Sequence, residues 1–210
     1  MSTTMRPPEI PFVPESTVPL PSLRATNGRL LWLSSVDHKQ IAIMYIVSAI
    51  LFFVIGGIEA LLLRVQLIKP DNDFLSPKLY NQLFTMHGTT MVFLVIMPMG
   101  AAFFNYLIPL MIGARDVAFP RLNAFSYWVF LAGAIFMYSS FFFGGMPDGG
   151  WFGYAPLSRV NELGVEHRMD YWTLGLIILG TSSMAAAANF IVTILNLRAP
   201  GMTLMRMPVF

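Results

Sequence analysis

Four long apolar stretches divide the chain and predict its architecture. They cover residues 41–63, 83–112, 125–143 and 173–197. Each is close to or longer than the roughly 20 residues that an α-helix needs to cross a bilayer. The stretches are continuously apolar, without the alternation of polar and apolar positions that a membrane β-barrel requires. The pattern therefore predicts an all-α membrane protein with four transmembrane helices.

The segment before the first stretch, residues 1–36, has a different character. It contains no apolar run long enough for the core of a secretory signal. Its prolines are Pro7, Pro8, Pro11, Pro14, Pro19 and Pro21. Proline-rich sequence of this kind is typical of irregular chain. We therefore divide the protein into a proline-rich cytoplasmic tail, residues 1–36, and a transmembrane helical region, residues 37–210.

The positive charges predict the orientation, because cytoplasmic loops carry an excess of Lys and Arg. With four crossings, eight of these residues share one side: Arg6, Arg24, Arg29, Lys39, Arg115, Arg121, Arg198 and Arg206. The other side has five: Arg64, Lys69, Lys78, Arg159 and Arg168. We expect both termini in the cytoplasm and the connection over residues 144–172 outside.

The composition supports a membrane protein and excludes several kinds of functional site. Hydrophobic residues make up 56% of the chain and charged residues only 11%, against about 25% charged in soluble domains. Cysteine is absent, which excludes disulfides, thiolate metal sites and cysteine nucleophiles. The formal net charge of +2 gives no reason to expect a nucleic-acid partner.

The second stretch contains a histidine, His87, in the segment MHGTTM. A buried ionisable group in a membrane span is costly and usually serves a function. Histidine is a common axial ligand of haem iron, Gly88 would let a flat macrocycle approach the backbone, and Met91 lies one turn on. An interhelical hydrogen bond is the alternative. His38 on the opposite side and His167 in the external connection are poorly placed as second ligands.

A second group of polar residues collects toward the predicted cytoplasmic side. Asp116, in the second connection, is accompanied by amides and hydroxyls: Asn105, Asn123, Ser126, Ser182, Ser183, Asn189, Thr193 and Asn196. Ser182, Asn189 and Asn196 recur every seven residues and therefore fall on nearly one helical stripe. Such a set could hold water in file, but polar packing between membrane helices gives the same pattern. The spacing alone leaves both interpretations open.

Two charged residues remain near the end of the first stretch. Glu59 is close enough to that end to reach the interface, and we assign it no role. Arg64 either extends its charge to the interface or pairs with an anionic or carbonyl group of a bound cofactor.

The stretch PLMIGARDVAFPRLNAFSYW, residues 109–128, is highly specific. It resembles the connection between helices two and three in subunit I of the haem–copper oxidases, the A-type cytochrome c oxidases in particular. Shorter segments agree in order and spacing: DHKQI at 37–41, HGTTM at 87–91, GW at 150–151, PL at 156–157, SS at 182–183 and ANF at 188–190. The similarity extends over nearly all of residues 37–210 and implies the N-terminal part of such a subunit, helices one to four.

The resemblance implies a role for each matched residue. His87 would be one axial ligand of the iron in a low-spin haem, with haem a expected. Arg64 would contact the formyl edge of that haem, and Trp151 would lie near its propionates. The rest of the haem pocket would be lined by Gly57, Tyr80 and Met91. Asp116 would open the D proton pathway, whose lining would comprise Tyr45, Asn105, Asn123, Ser126, Ser182, Ser183 and Asn189.

The same resemblance implies a cytochrome c oxidase that reduces oxygen to water and pumps protons. The family's subunit I has about twelve helices, so the second haem, copper B and their ligands are expected beyond Phe210. Expected partners are the remainder of subunit I, subunits II and III, cytochrome c or another electron donor, and the lipid of a bacterial plasma membrane. Gln66 stands where some members carry a carboxylate for a bound cation, and no cation site is predicted there.

Three alternatives remain open on the sequence. A quinol oxidase shares the same core and differs in its electron donor. A relative of the nitric oxide reductases agrees less well with the segment around Asp116. A four-helix structural or assembly subunit could keep the fold without its chemistry, and a pigment spectrum would distinguish it.

Overall fold

The computed structural model describes residues 32–143, 145–155, 157–158 and 168–209. Within these ranges the regular structure is helical. The α-helices are α1 (His38–Gln66), α2 (Pro77–Thr89), α3 (Met97–Ile112), α4 (Pro120–Ser139) and α5 (Arg168–Asn196). A π-helix (Thr90–Ile96) joins α2 to α3, and a 3₁₀ turn (Leu204–Arg206) follows α5.

Four helical segments are long and apolar enough to cross a membrane: His38–Gln66, Pro77–Ile112, Pro120–Ser139 and Arg168–Asn196. The predicted all-α fold with four spanning helices is confirmed. Large apolar side chains such as Val47, Leu51 and Phe53 are exposed on these helices, as expected where a helix faces lipid. Most of the predicted tail, residues 1–31, lies outside the described residues, as do Pro156, Arg159 and His167.

Capping residues explain why the helices begin before the apolar stretches do. Asp37 accepts hydrogen bonds from the backbone N–H groups of Lys39 and Gln40, so α1 begins at His38. Ser76 caps α2, which begins at Pro77 rather than at residue 83. Pro120 opens α4 in the first helical turn, where its missing N–H costs nothing.

The second span reaches 36 residues because the π-helix keeps α2 and α3 continuous. Pro98 stands in the first turn of α3 and Pro109 within it. The span ends at Gly113, whose φ of 72° is the left-handed conformation that glycine adopts without strain.

Polar contacts define the two ends of the bundle. At one end the start of α1 meets the α3–α4 connection, where His38 Nδ1 is 3.1 Å from Asp116 Oδ1. The chain after α5 is at the same end, because the Ala199 N–H donates to the Ile112 carbonyl. At the other end the α4–α5 connection packs on α2, and the Gly150 N–H donates to Thr85 Oγ1 at 2.9 Å.

The core between the ends is largely aromatic. Tyr45 of α1 packs edge-on against Tyr127 of α4, with ring centroids 5.0 Å apart. Phe130 lies against Tyr45, and Met86 and Met137 are fully buried in the same cluster. The polar site described below is therefore held between rigid, well-packed helices.

Candidate functional site

His87 is fixed by a backbone carbonyl of the neighbouring helix. Its Nδ1 lies 2.9 Å from the Gly56 carbonyl oxygen in α1. Because a carbonyl oxygen only accepts, Nδ1 carries the hydrogen and donates it. In the neutral ring this leaves a lone pair on Nε2, the arrangement that metal-ligating histidines adopt.

Glycines shape the surface around His87. A Cβ added to Gly57 would meet no atom within 4 Å, so the backbone beside the His87 contact is open. Gly88 is different, because an added Cβ would lie 2.7 Å from the Trp151 ring, which packs directly on that backbone. Met91 packs on Gly56, with Sδ 3.0 Å from an added Cβ there. A free Nε2 beside an open backbone fits a flat macrocycle.

Two other residues predicted for the haem pocket lie farther along the same helices. Arg64 is exposed in the last turn of α1, about 10 Å along the helix axis beyond Gly57. Tyr80 is half-buried in the first turn of α2, two turns before His87. The structure thus places His87, Gly57, Met91 and Trp151 in one region and leaves Arg64 and Tyr80 at its margin.

The predicted proton pathway contains a hydrogen-bonded centre that joins three helices. Tyr45 Oη of α1 is 3.2 Å from Ser126 Oγ of α4. Ser182 Oγ of α5 donates to the Ser126 carbonyl at 2.6 Å. Ser126 Oγ donates in turn to the Asn123 carbonyl at 2.7 Å. Residues that are far apart in sequence therefore meet at one buried polar point.

Two amides predicted for the pathway are buried without full hydrogen bonding. Asn105 and Asn123 are each 0% exposed. Asn105 donates to the Ala101 carbonyl at 2.9 Å, but within the described part of the chain its Oδ1 has no partner, and neither Oδ1 nor Nδ2 of Asn123 has one. Buried polar groups nearly always pair with protein or ordered water. These three atoms are therefore suited to hold water.

A cavity of about 650 Å³ opens beside the polar centre. Tyr45, Ser182 and Ser183 contribute to its lining, which is otherwise mainly apolar, with Phe93 and Phe104 among the aromatic side chains. The Ser183 hydroxyl donates to the Leu179 carbonyl of its own helix at 3.1 Å. Three of the predicted pathway residues therefore border one cavity.

Asn189 lies on the buried stripe of α5 with Ser182, whereas Asn196 does not. Asn189 is buried, but its Oδ1 accepts from the Phe119 N–H at 2.8 Å and its Nδ2 donates to the Phe119 carbonyl at 3.3 Å. Both ends of this amide therefore anchor the start of α4. Asn196 is exposed in the last turn of α5 and does not extend the buried stripe.

Asp116 lies at the mouth of this polar region and is paired with a histidine. Its Oδ1 accepts from the Val117 N–H at 2.7 Å and lies 3.1 Å from His38 Nδ1. The side chain of Asp116 is 37% exposed, whereas that of His38 is only 3% exposed. Sequence reasoning missed this contact, because the two residues are 78 positions apart and no pattern connects them.

Comparisons with known proteins cover most of the chain. The family model described as Cytochrome C and Quinol oxidase polypeptide I matches residues 40–210. A cytochrome c oxidase subunit 1 of Bacillus sp. (strain PS3) is 55% identical over 185 residues, which is 87% of this chain and 30% of the relative. A cytochrome c oxidase subunit 1 of Synechocystis sp. is 48% identical over 92% of this chain and 35% of its own length.

A relative named as a quinol oxidase subunit has a sequence identity to this chain close to that of the cytochrome c oxidase relatives. The quinol oxidase subunit 1 of Bacillus subtilis is 46% identical over 85% of this chain and 27% of its own length. The chain therefore spans about a third or less of the length of these three relatives.

Proposed function

Because this chain belongs to the cytochrome c and quinol oxidase polypeptide I family, we propose that it supplies part of the catalytic subunit of a respiratory terminal oxidase. The complete enzyme takes electrons from cytochrome c, reduces oxygen to water and pumps protons. The observation that carries this proposal is His87, whose Nδ1 is bound to the Gly56 carbonyl inside a membrane span. That arrangement leaves Nε2 available to iron.

The residues around His87 fit a low-spin haem, with haem a expected. When bound, the haem supplies one-electron transfer. His87 Nε2 would be one ligand of its iron, and Met91 and the open backbone at Gly57 would flank the ring. Arg64 would contact its formyl edge, and Trp151 would lie near its propionates. Tyr80 would line the margin of the pocket from α2.

The hydrogen bond from His87 to Gly56 has a function of its own. It holds the imidazole in one tautomer and one orientation, since the carbonyl is part of a helix that cannot move independently. Partners of this kind typically change metal affinity by about 10–100-fold when they are lost. The second ligand of that haem, the second haem and copper B would belong to the remainder of subunit I.

Proton uptake is assigned to the opposite end of the bundle. Asp116 receives protons at the mouth, because its side chain is partly exposed. Asn105 and Asn123 hold water through their unpaired buried atoms. Tyr45, Ser126 and Ser182 continue the path as a hydroxyl cluster, with Ser183 beside it in the cavity wall. Asn189 borders the path and fixes the start of α4.

The assembly follows from the same proposal. Subunits II and III, the remainder of subunit I and an electron donor complete the complex in the lipid of a bacterial plasma membrane. The excess of Lys and Arg on the side of the termini supports a cytoplasmic N-terminus. A quinol oxidase is the second candidate, and the 46% identical relative named quinol oxidase subunit 1 supports it.

Oxygen consumption by the purified complex that contains this chain tests the function. We expect oxygen uptake with reduced cytochrome c, together with the absorption of a low-spin haem. Uptake with a quinol but not with cytochrome c would favour the second candidate. A complex without haem absorption would contradict both oxidase candidates and indicate a structural role for this chain.

A further inference from the structure

A second ionisable side chain is buried inside the bundle, apart from the pathway residues. Glu59 in α1 is 5% exposed, and its Oε1 accepts a hydrogen bond from Tyr138 Oη of α4 at 3.3 Å. Thr90 Oγ1 of the π-helix is 2.6 Å from the same hydroxyl. With one hydrogen on each hydroxyl, Thr90 donates to Tyr138 and Tyr138 donates to Glu59. Glu59 Oε2 is buried and has no hydrogen-bond partner among the residues that the structure describes.

The surroundings of Glu59 lack a counter-charge. Tyr138, from α4, is the titratable group that touches it, and the contact from the π-helix is the neutral Thr90. On its own helix, Arg64 lies five residues on and is exposed. Among the described residues no Lys or Arg pairs with Glu59. A buried carboxylate without a cation is strongly disfavoured, so a proton on this group is favoured unless positive charge appears nearby.

This cluster lies one turn from the contact that holds His87. Gly56, which accepts the hydrogen of His87 Nδ1, is three residues before Glu59 in α1. Thr90 is three residues after His87 in the second span. Residues three apart are neighbours on a helix surface. Glu59 therefore sits beside the place where a haem held by His87 would change its charge, in a low-dielectric interior that screens charges weakly.

We propose that Glu59 is a proton-binding site coupled to the oxidation state of the centre that His87 holds. The inference rests on the haem ligation proposed above. When a one-electron carrier of the respiratory chain reduces the centre, the Glu59 carboxylate binds one proton, which arrives as hydronium and leaves water behind. When the centre gives up its electron, the O–H bond of the acid breaks, the proton passes to a water molecule to form hydronium, and the carboxylate is restored. Tyr138 and Thr90 are positioning residues that orient the carboxyl group.

Infrared difference spectroscopy of the purified complex, reduced against oxidised at an electrode, tests this site directly. We expect a C=O band of a protonated carboxyl group that shifts in D₂O and is lost in Glu59→Gln. The matched control is Asp73→Asn, an exposed carboxyl group in the α1–α2 connection, which keeps the band. A band that remains unchanged in Glu59→Gln would overturn the proposal.

A second variant keeps the carboxyl group and changes only its partner. Tyr138→Phe removes the hydrogen bond to Oε1, so the same C=O band should move in frequency without loss of haem. If the Glu59→Gln complex does not assemble, Tyr138→Phe alone tests the proposal. A C=O band at an unchanged frequency in Tyr138→Phe would then contradict it. The pH dependence of the haem midpoint potential should also become flatter in Glu59→Gln and stay unchanged in Asp73→Asn.

The two proposals fail in different ways. A wild-type complex without low-spin haem absorption contradicts the function assigned to His87. A complex with normal haem absorption but no Glu59-dependent band contradicts only the proton site.

Discussion

The two ends of the bundle satisfy their polar groups differently. Near His87, side chains pair with the backbone or with each other: His87 with Gly56, and Trp172 Nε1 with Thr89 Oγ1 at 3.0 Å. Toward Asp116, the buried amides Asn105 and Asn123 keep atoms that no protein group pairs. The first arrangement suits a rigid cofactor pocket. The second suits water, because unpaired buried polar atoms need a mobile partner.

Glu59 and Ser140 depart from this contrast, because each has a buried oxygen without a hydrogen-bond partner among the described residues. Glu59 lies near the His87 end, but its Oε2 is as unpaired as the amide atoms near Asp116. Unpaired buried polar atoms are therefore not confined to the predicted pathway. Each prediction below changes one end and leaves the other as the reference.

The largest effect is expected from Asp116→Asn. The amide cannot take up and release a proton at the mouth, so proton uptake should slow by about 100-fold or more. Haem content should stay normal, because Asp116 contacts His38 and Val117 and not the His87 region. Flow-flash measurement of proton uptake in vesicles gives the rate, and unchanged uptake would remove Asp116 from the pathway.

Gly88→Ala should produce the next largest effect, at the opposite end. Its Cβ would lie 2.7 Å from the Trp151 ring, so the ring or the helix must shift. Overpacking of this kind costs about 1–3 kcal/mol. We expect a lower unfolding temperature and less haem per protein. Gly100→Ala is the matched control, because its added Cβ meets no atom within 4 Å, and equal loss in both variants would contradict the account.

Asn123→Ala separates water binding from protein packing. Among the described residues, its side-chain oxygen and nitrogen have no hydrogen-bond partner, so the substitution leaves no other protein group unsatisfied. Leaving a buried partner unsatisfied costs up to about 3 kcal/mol. The free energy of unfolding should therefore change by much less than that amount. Proton uptake should slow nevertheless, though less than in Asp116→Asn. Thermal unfolding and uptake are measured on the same sample, and a stability loss without slower uptake would indicate a packing role.

The smallest effect is expected from His38→Gln. An ion pair whose acid is 37% exposed contributes about 0.2–1 kcal/mol. Proton uptake should therefore fall by less than about fivefold, with normal haem absorption. A loss as large as that of Asp116→Asn would make His38 an equal partner at the mouth.

The spans and the family were predictable from the sequence, because apolar length and the segment around Asp116 carry that information locally. Both are confirmed, by the helices and by the match over residues 40–210. The helix ends were less predictable, since Asp37, Ser76 and Pro120 extend helices beyond the apolar stretches. Local capping chemistry decides those ends, and hydropathy does not record it.

The contacts that make the site could not be predicted from spacing. Tyr45 and Ser126 are 81 residues apart, and Glu59 and Tyr138 are 79 apart. A pattern along one helix identifies a polar face but not the helix that it meets. Asn189 shows the same limit, because its position suggested a pathway lining and its two hydrogen bonds anchor Phe119. The roles of the site residues remain predictions.

Imidazole rescue of a His87→Gly variant tests the central claim most directly, that His87 Nε2 ligates a haem. The substitution opens space beside Gly56 without changing the rest of the chain. We predict that the purified variant loses the low-spin haem spectrum and regains it when imidazole is added, whereas His38→Gly keeps the spectrum throughout. A low-spin spectrum that persists in His87→Gly without imidazole would contradict the account.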